Sequence, residues 1–182
     1  MYQFPQPFVP VFDWQDLIEP GDIVLFRFPI NEDGEAAHPK RRPCLVLDVF
    51  ELNGTTFVEL AYGTSAGTKA NTGHEVRVGH TASCHAAGLD RPSRFVCSRR
   101  IIVSVNHPDF DGKDDRGTLI GRLDPPLIER MNEVRARLQA EAEALQERCE
   151  EQAPWQSEER GFLKRNRASR AAITPKLKGG LV

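Results

Sequence analysis

The sequence predicts a mainly β chain with added helix (α+β): a small, strongly curled sheet or barrel followed by one long amphipathic helix. Three observations predict it. Short apolar runs recur between Gly, Pro and Asn punctuation from residue 20 to residue 121, the spacing of strands joined by tight connections. Asn53-Gly54 stands between two such runs and supplies the positive φ angles that a two-residue hairpin turn needs. From residue 125 the apolar period lengthens from two to steps of three and four, which is helical.

The elements follow in order. "MYQFPQPFVPVFDW" carries aromatic residues and prolines at 5, 7 and 10, so residues 1–18 read as an extended arm that lays aromatic side chains on the body. It lacks a basic leader region and is interrupted by proline, so neither a signal peptide nor a membrane span is expected. "PGDIVLFRF" (20–28) is a turn and a strand. "PINEDGEAAHPKRR" (29–42) is acidic at first and basic at its end; it reads as a loop of more than average length, a kind that is often functional. "PCLVLDVF" is apolar on both faces and is expected to be a central strand. "TTFVELAY" (55–62) completes the hairpin. Shorter strands are expected at 74–78, 94–98, 100–105 and 118–121, with "TASCHAAGLDRPSR" read as the polar loop before one of them.

Leu127, Met131, Val134, Leu138, Ala142, Leu145 and Cys149 trace the apolar stripe of the helix, with Pro125 and Pro126 where a first turn tolerates them. The helix is expected to end near 150, ahead of Pro154. The organisation is then an arm (1–18), a barrel plus helix (19–150) and a basic, flexible tail (151–182) rich in Arg and Lys.

Composition narrows the function classes. A hydrophobic fraction of 40% and a net charge of −2 over 182 residues describe one soluble globular domain with extensions. Near-neutrality argues against a protein that coats nucleic acid non-specifically, but leaves room for a local basic patch. Cys44, Cys84, Cys97 and Cys149 form no CxxC pair, and two of them lie in apolar stretches. They read as reduced thiols of a cytoplasmic protein. His74, His80, Cys84 and His85 are of metal-ligand type, but their spacing matches no compact zinc motif. No metal and no cofactor is expected.

"PKRRPCLVLDVF" (39–50) sets Arg41 and Arg42 at the mouth of the central strand. The bland reading is a pair of solvent-facing turn charges. The functional reading is an anion site held rigid by the strand behind it. A guanidinium holds two phosphate oxygens in a bidentate fork, which lysine does not. Pro43 fixes the backbone after Arg42, and Thr64, at the end of "LAYGT", can give a hydroxyl hydrogen bond to the same phosphate. Thr64 can equally cap the turn that follows its strand.

Three pieces stand in order: "PGDIVLFRFP" (20–29), "RRPCLVLDV" (41–49) and "LAYGTS" (60–65). This trio resembles the MazF/PemK family of toxin endoribonucleases of bacterial toxin–antitoxin pairs, over roughly residues 19–105, with the 125–149 helix matching that family's C-terminal helix. The resemblance implies an SH3-like curled barrel and metal-independent cleavage of single-stranded RNA, by attack of the 2′-OH, to leave a 2′,3′-cyclic phosphate and a 5′-OH. It places Arg42 and Thr64 at the catalytic positions. Beside them, Arg41, Ser65, His38, Arg94 and Ser98 are read as RNA contacts; His38, four residues before Arg42 in the same loop, is also a candidate base, or else a solvated loop histidine. It implies a homodimer with RNA across the subunit interface, no membrane, and a cognate antitoxin whose complex binds DNA. In one respect the sequence departs from the family. Relatives often carry an acidic residue on the strand matching "RFVCSRR" (94–100), which here has none. That departure keeps open a binding module of the same fold, directed at RNA or gyrase, that does not cleave.

Overall fold

The computed structural model describes residues 13–29, 39–111 and 117–172, with side chains described up to residue 150. The chain divides into two compact units, residues 1–138 and 139–182, and all strands belong to the first. These are β1 (Asp22–Phe26), β2 (Arg42–Leu52), β3 (Thr55–Thr64), β4 (Glu75–Val78), β5 (Ser93–Ser104) and β6 (Leu119–Arg122). They form one antiparallel sheet in the order β4-β5-β3-β2-β1-β6. The α+β class and the curled sheet are as the sequence predicts, but the sheet is not closed by pairing of its two edge strands.

The register shifts within β1, β2 and β3, between Ile23 and Val24, between Val46 and Asp48, and between Ala61 and Tyr62. Such bulges bend a strand and increase its twist. The third explains a difference from the sequence reading. Ala61 pairs with Arg100 and Tyr62 with Val96, so residues 97–99 bulge out of one continuous β5 where two strands were expected.

Alternation along the strands buries both faces. Ile23, Leu45, Leu47, Ala61 and Phe95 form one core cluster with Met131 and Val134 of the C-terminal helix. Val24, Phe26, Cys44, Val46, Tyr62 and Val96 form the other, with Phe110. β2 is therefore central and apolar on both faces, as read. Asp22 is buried: it accepts from the Glu19 amide at 2.8 Å and from Arg122 Nη1 at 2.8 Å, and this fastens the Pro-Gly-Asp opening to β6.

Three helical elements differ from expectation. Residues 1–12 of the expected arm lie outside the described residues, and its end is a helical turn, α1 (Trp14–Leu17), capped by Asp13. Trp14 does lay its ring on the body, with its centroid 5.0 Å from that of Phe110. The expected polar loop at 81–94 begins with a short helix, α2 (Thr81–Ala86). Its signal is C-terminal. Leu89 N–H donates to Cys84 C=O at 2.9 Å and Gly88 N–H to His85 C=O at 3.1 Å, with Gly88 at φ 64°, the geometry of a glycine-terminated helix.

The chain after α2 lies directly on β6. A Cβ on Gly88 would stand 2.0 Å from Ile120 O, and one on Gly121 2.4 Å from the Ala87 carbonyl carbon. Backbone contact here takes the place of the strand pairing that would close a barrel.

The last helix, α3 (Pro125–Ala172), starts at Asp124, whose carboxylate accepts from Leu127 N–H at 3.1 Å and from the Ser83 hydroxyl. Met131 and Val134 are buried, Leu127 and Leu138 half-buried. From 139 to 150 the side chains are exposed, Leu145 by 55%. The expected end before Pro154 is corrected, since α3 continues to Ala172. A proline removes one helical N–H and crowds one carbonyl, but the flanking Glu, Gln, Ala and Arg residues all favour helix. Residues 173–182 lie outside the described residues. Among the described residues, no helix is long and apolar enough to cross a membrane.

Candidate functional site

A cleft of ≈ 540 Å³ opens where β2 begins and β3 ends. Its position follows from strand pairing. Cys44 pairs with Tyr62, and the same register carried two residues further sets Arg42 opposite Thr64. The ladder is tight here: a Cβ on Gly63 would stand 2.0 Å from the Pro43 carbonyl oxygen and 2.9 Å from the Phe95 ring. Only glycine leaves room for β2 and β3 to approach this closely. Opposed positions share a sheet face, so Arg42, Tyr62 and Thr64 lie on one side. Arg41, Arg42, Thr64 and Ser65 all line the cleft.

Arg42, Thr64 and Arg41 each have a defined anchor. Arg42 Nη1 donates to the Tyr62 phenol oxygen at 3.4 Å, and its guanidinium carbon lies 5.9 Å from the Tyr62 ring centroid. Tyr62, buried and edge-on to Phe28 at 5.4 Å, therefore orients Arg42, a role the sequence reading did not assign. Its signal was in plain view, two residues before Thr64. Thr64 Oγ1 accepts from the Ala66 amide at 3.2 Å. The bland reading of Thr64 as a turn cap is thus correct, and it suits the functional one: the accepted bond orients the hydroxyl, which can still donate. Arg41 Nη2 donates to Phe110 C=O at 2.7 Å and to Thr118 Oγ1 at 3.3 Å. It ties the start of β2 to the 3-10 turn Pro108–Phe110 and to β6, as well as bordering the cleft.

The remaining expected contacts separate. Ser98 is exposed at the β5 bulge and does not line the cleft. Arg94 is buried, and its guanidinium is held by Glu75, Thr68 and Ala70; burial and three acceptors turn it inward, and it does not line the cleft. His38 lies outside the described residues. His80, Cys84 and His85 belong to α2 and its N-terminal flank, where the buried Cys84 donates to Val78 C=O. Among the described residues no three His, Cys, Asp or Glu side chains cluster.

The cleft also holds residues that the sequence reading passed over. Lys40, Asp90, Arg91 and Ser93 line it, over a floor that includes Leu25, Leu89 and Ile120. Asp90 and Arg91 arrive because the glycine-ended α2 turns the chain back towards β5. Among the described residues, four cations and one carboxylate line the cleft, a basic balance on a chain of net charge −2 and the kind of field that gathers polyanions.

Buried groups near the site are electrically quiet. Burial pushes the Cys44 thiol up to about 12 against the lowering effect of Gly63 N–H and Arg42. Burial likewise pushes Cys97 up to about 11. Neither is a thiolate nucleophile at neutral pH. Burial also acts to raise Glu75, but hydrogen bonds from Arg94 and Arg77 outweigh it and hold the carboxyl below its usual range.

Among known proteins, a family profile described as PemK-like, MazF-like toxin of type II toxin-antitoxin system matches residues 19–141. None of the curated proteins compared with the chain matches it.

Proposed function

The chain belongs to the PemK-like, MazF-like toxin family of type II toxin–antitoxin systems, and from that premise we propose that it is an endoribonuclease acting on single-stranded RNA without a metal ion. The family implies an antitoxin partner. The observation that carries the nuclease reading is that Arg42 and Thr64, which the Cys44–Tyr62 register carried two residues further sets opposite each other, both line one basic cleft.

Cleavage of RNA by its own 2′-OH needs three things: removal of that proton, stabilisation of the charged phosphorane, and protonation of the leaving 5′-oxygen. Arg42, stacked against Tyr62, holds two phosphate oxygens. Thr64 donates to the same phosphate. A guanidinium stays protonated, so the proton goes to another group, and among the described residues Asp90 is the carboxylate that lines the cleft. Water gives the leaving 5′-oxygen its proton, and the products are a 2′,3′-cyclic phosphate and a 5′-OH. Lys40, Arg41 and Arg91 steer the flanking backbone. A homodimer in the cytoplasm, with RNA across the interface, follows the family pattern. An antitoxin segment rich in acidic residues suits the same basic cleft.

The test is cleavage of a long single-stranded RNA in EDTA. Arg42→Ala is expected to keep its fold and lose on the order of 10²–10³ in rate, as removal of one donor to the transition state does. A mutant as fast as the parent removes Arg42 from the site. A requirement for added divalent metal rejects the mechanism. Tight RNA binding with no cleavage by the parent favours a binding module.

A further inference from the structure

β3 ends at Thr64 and β4 begins at Glu75. The connection between them, residues 65–74, is exposed throughout its first half. An exposed loop of this length deforms easily unless something fastens it, and this one leaves directly from the cleft. Arg94 of β5 is paired with Thr64 on one side and with Arg77 on the other. It is 8% exposed. Its Nη1 donates to Ala70 C=O at 2.8 Å and to Glu75 Oε2 at 2.7 Å, and its Nη2 donates to Thr68 Oγ1. One guanidinium thus grips two points of the loop and the first residue of β4. Glu75, 4% exposed, is itself held by Arg77 Nε at 2.6 Å.

Stability is a poor explanation for this arrangement. A buried ion pair replaced by apolar groups of similar size often leaves a fold as stable as before. What a planar fork supplies is direction, because its donors lie in a fixed plane. We propose that Arg94, seated on Glu75, is a positioning residue that holds the 65–74 loop so that Thr64 and Ser65 face the cleft. Arg94 touches no substrate. It acts through the loop, and only the kinetic readout below rests on the nuclease reading.

The experiment compares the parent with Arg94→Lys and with the double variant Arg94→Met/Glu75→Leu, which leaves no buried charge unpaired. Amide hydrogen exchange is expected to speed up in 65–74 and to stay unchanged in β1 and β2, with the melting temperature within a few degrees of the parent's. On a short oligoribonucleotide, kcat is expected to fall about 10–10²-fold, the cost of small misplacement at a reacting centre, with KM nearly constant. Arg94→Lys is expected to fold but not to restore kcat, because an ammonium does not reproduce the fork. If the double variant unfolds, Arg94→Lys alone carries the test.

A direct phosphate contact at Arg94 predicts a different pattern: a raised KM, rescue by lysine, and a log–log salt slope for RNA binding that falls by roughly 0.7. That pattern overturns the proposal. So does loop exchange equal to the parent's in both variants. If the parent cuts no RNA, the nuclease reading fails, and the clamp is then decided by loop exchange and by binding of a non-cleavable RNA. A few-fold loss of affinity at unchanged salt slope supports it; affinity and exchange both unchanged overturn it.

Discussion

The two ends of the β2–β3 ladder are built from the same pair of strands and the same kind of backbone pairing, yet they answer to different constraints. At the hairpin end, Asn53 and Gly54 turn the chain with φ of 52° and 73°, and a Cβ on Gly54 would meet nothing within 4 Å. Phe50 and Leu52 are exposed there by 38% and 56%, with the Phe50 and Phe57 rings stacked at 6.0 Å. At the cleft end the backbone is crowded, Gly63 against Pro43, and the polar side chains that line it are cations, hydroxyls and Asp90. Glycine serves both ends for different reasons. Gly54 is needed for its φ angle, Gly63 for its lack of volume. The turn only has to exist, whereas the cleft end has to hold two side chains opposite each other.

The comparison breaks most sharply at Gly63. Gly63→Ala forces Pro43 and Phe95 apart, and is expected to cost on the order of 1–3 kcal/mol of stability, as overpacking does. Cleavage is expected to drop by more than about 10²-fold per folded molecule, since a displacement near 1 Å at a reacting centre costs that much. Denaturant melts and RNA cleavage assays check both; parental activity would show that the tight ladder does not serve the site.

Arg42→Lys comes next. It keeps the charge and loses the fork, so RNA binding and its salt dependence should persist while the rate falls by about 10²-fold. At the other end, Gly54→Ala is expected to cost about 1–2 kcal/mol, the left-handed penalty for a residue with a Cβ. Its cleavage rate per folded molecule should equal the parent's, and a loss of rate comparable to that at Gly63 would erase the contrast between the ends. Tyr62→Phe removes a long hydrogen bond to Arg42 but keeps the ring beneath it. A loss of up to about fivefold in kcat is expected, matching a neutral bond worth about 1 kcal/mol.

The smallest expected difference is in pH dependence. Glu75 is held below the usual carboxylate range by Arg94 and Arg77 against its burial. A depressed pKa contributes stability that is present above the unfolded value, about 4.3, and is lost as pH falls through the folded value. Between pH 6 and pH 3 the parent should therefore lose more stability than Glu75→Gln. Equal slopes in acid melts would remove Glu75 from the buried pair.

Much of the frame was legible because it depends on local chemistry. Pro-Gly, Asn-Gly and the apolar runs mark strands wherever they occur, and of the six strands among the described residues five fall close to their expected ranges. What escaped depended on distant partners. Arg94 reads in the sequence as an RNA contact, and its hold on Thr68, Ala70 and Glu75 comes only with the folded 65–74 loop. Asp90 and Arg91 reach the cleft only because α2 turns back at Gly88. Pro154 reads as a stop, yet α3 continues through it.

The pairing of Arg42 with Thr64 shows the division most clearly. The sequence alone determined that the two strands form a hairpin, because Asn53-Gly54 is a turn in any context. Pairing outward from that turn, Leu52 with Thr55 and Asp48 with Glu59, would in strict register set Arg42 opposite Ser65 and leave Thr64 opposite Pro43. Instead Leu47 is an extra residue: Val46 pairs with Leu60, and the register slips by one. Because strand side chains alternate, that slip decides which face every later residue shares, and it brings Thr64 to the face of Arg42. The slip has no local signature. It lies where Asp48 bonds the Val49 amide at 2.9 Å and Arg135 of α3 at 2.7 Å, while Leu45 and Leu47 both pack into the core beneath that helix. The turn was decided by two neighbouring residues, whereas the slip that sets the register at the cleft sits against a helix more than eighty residues away.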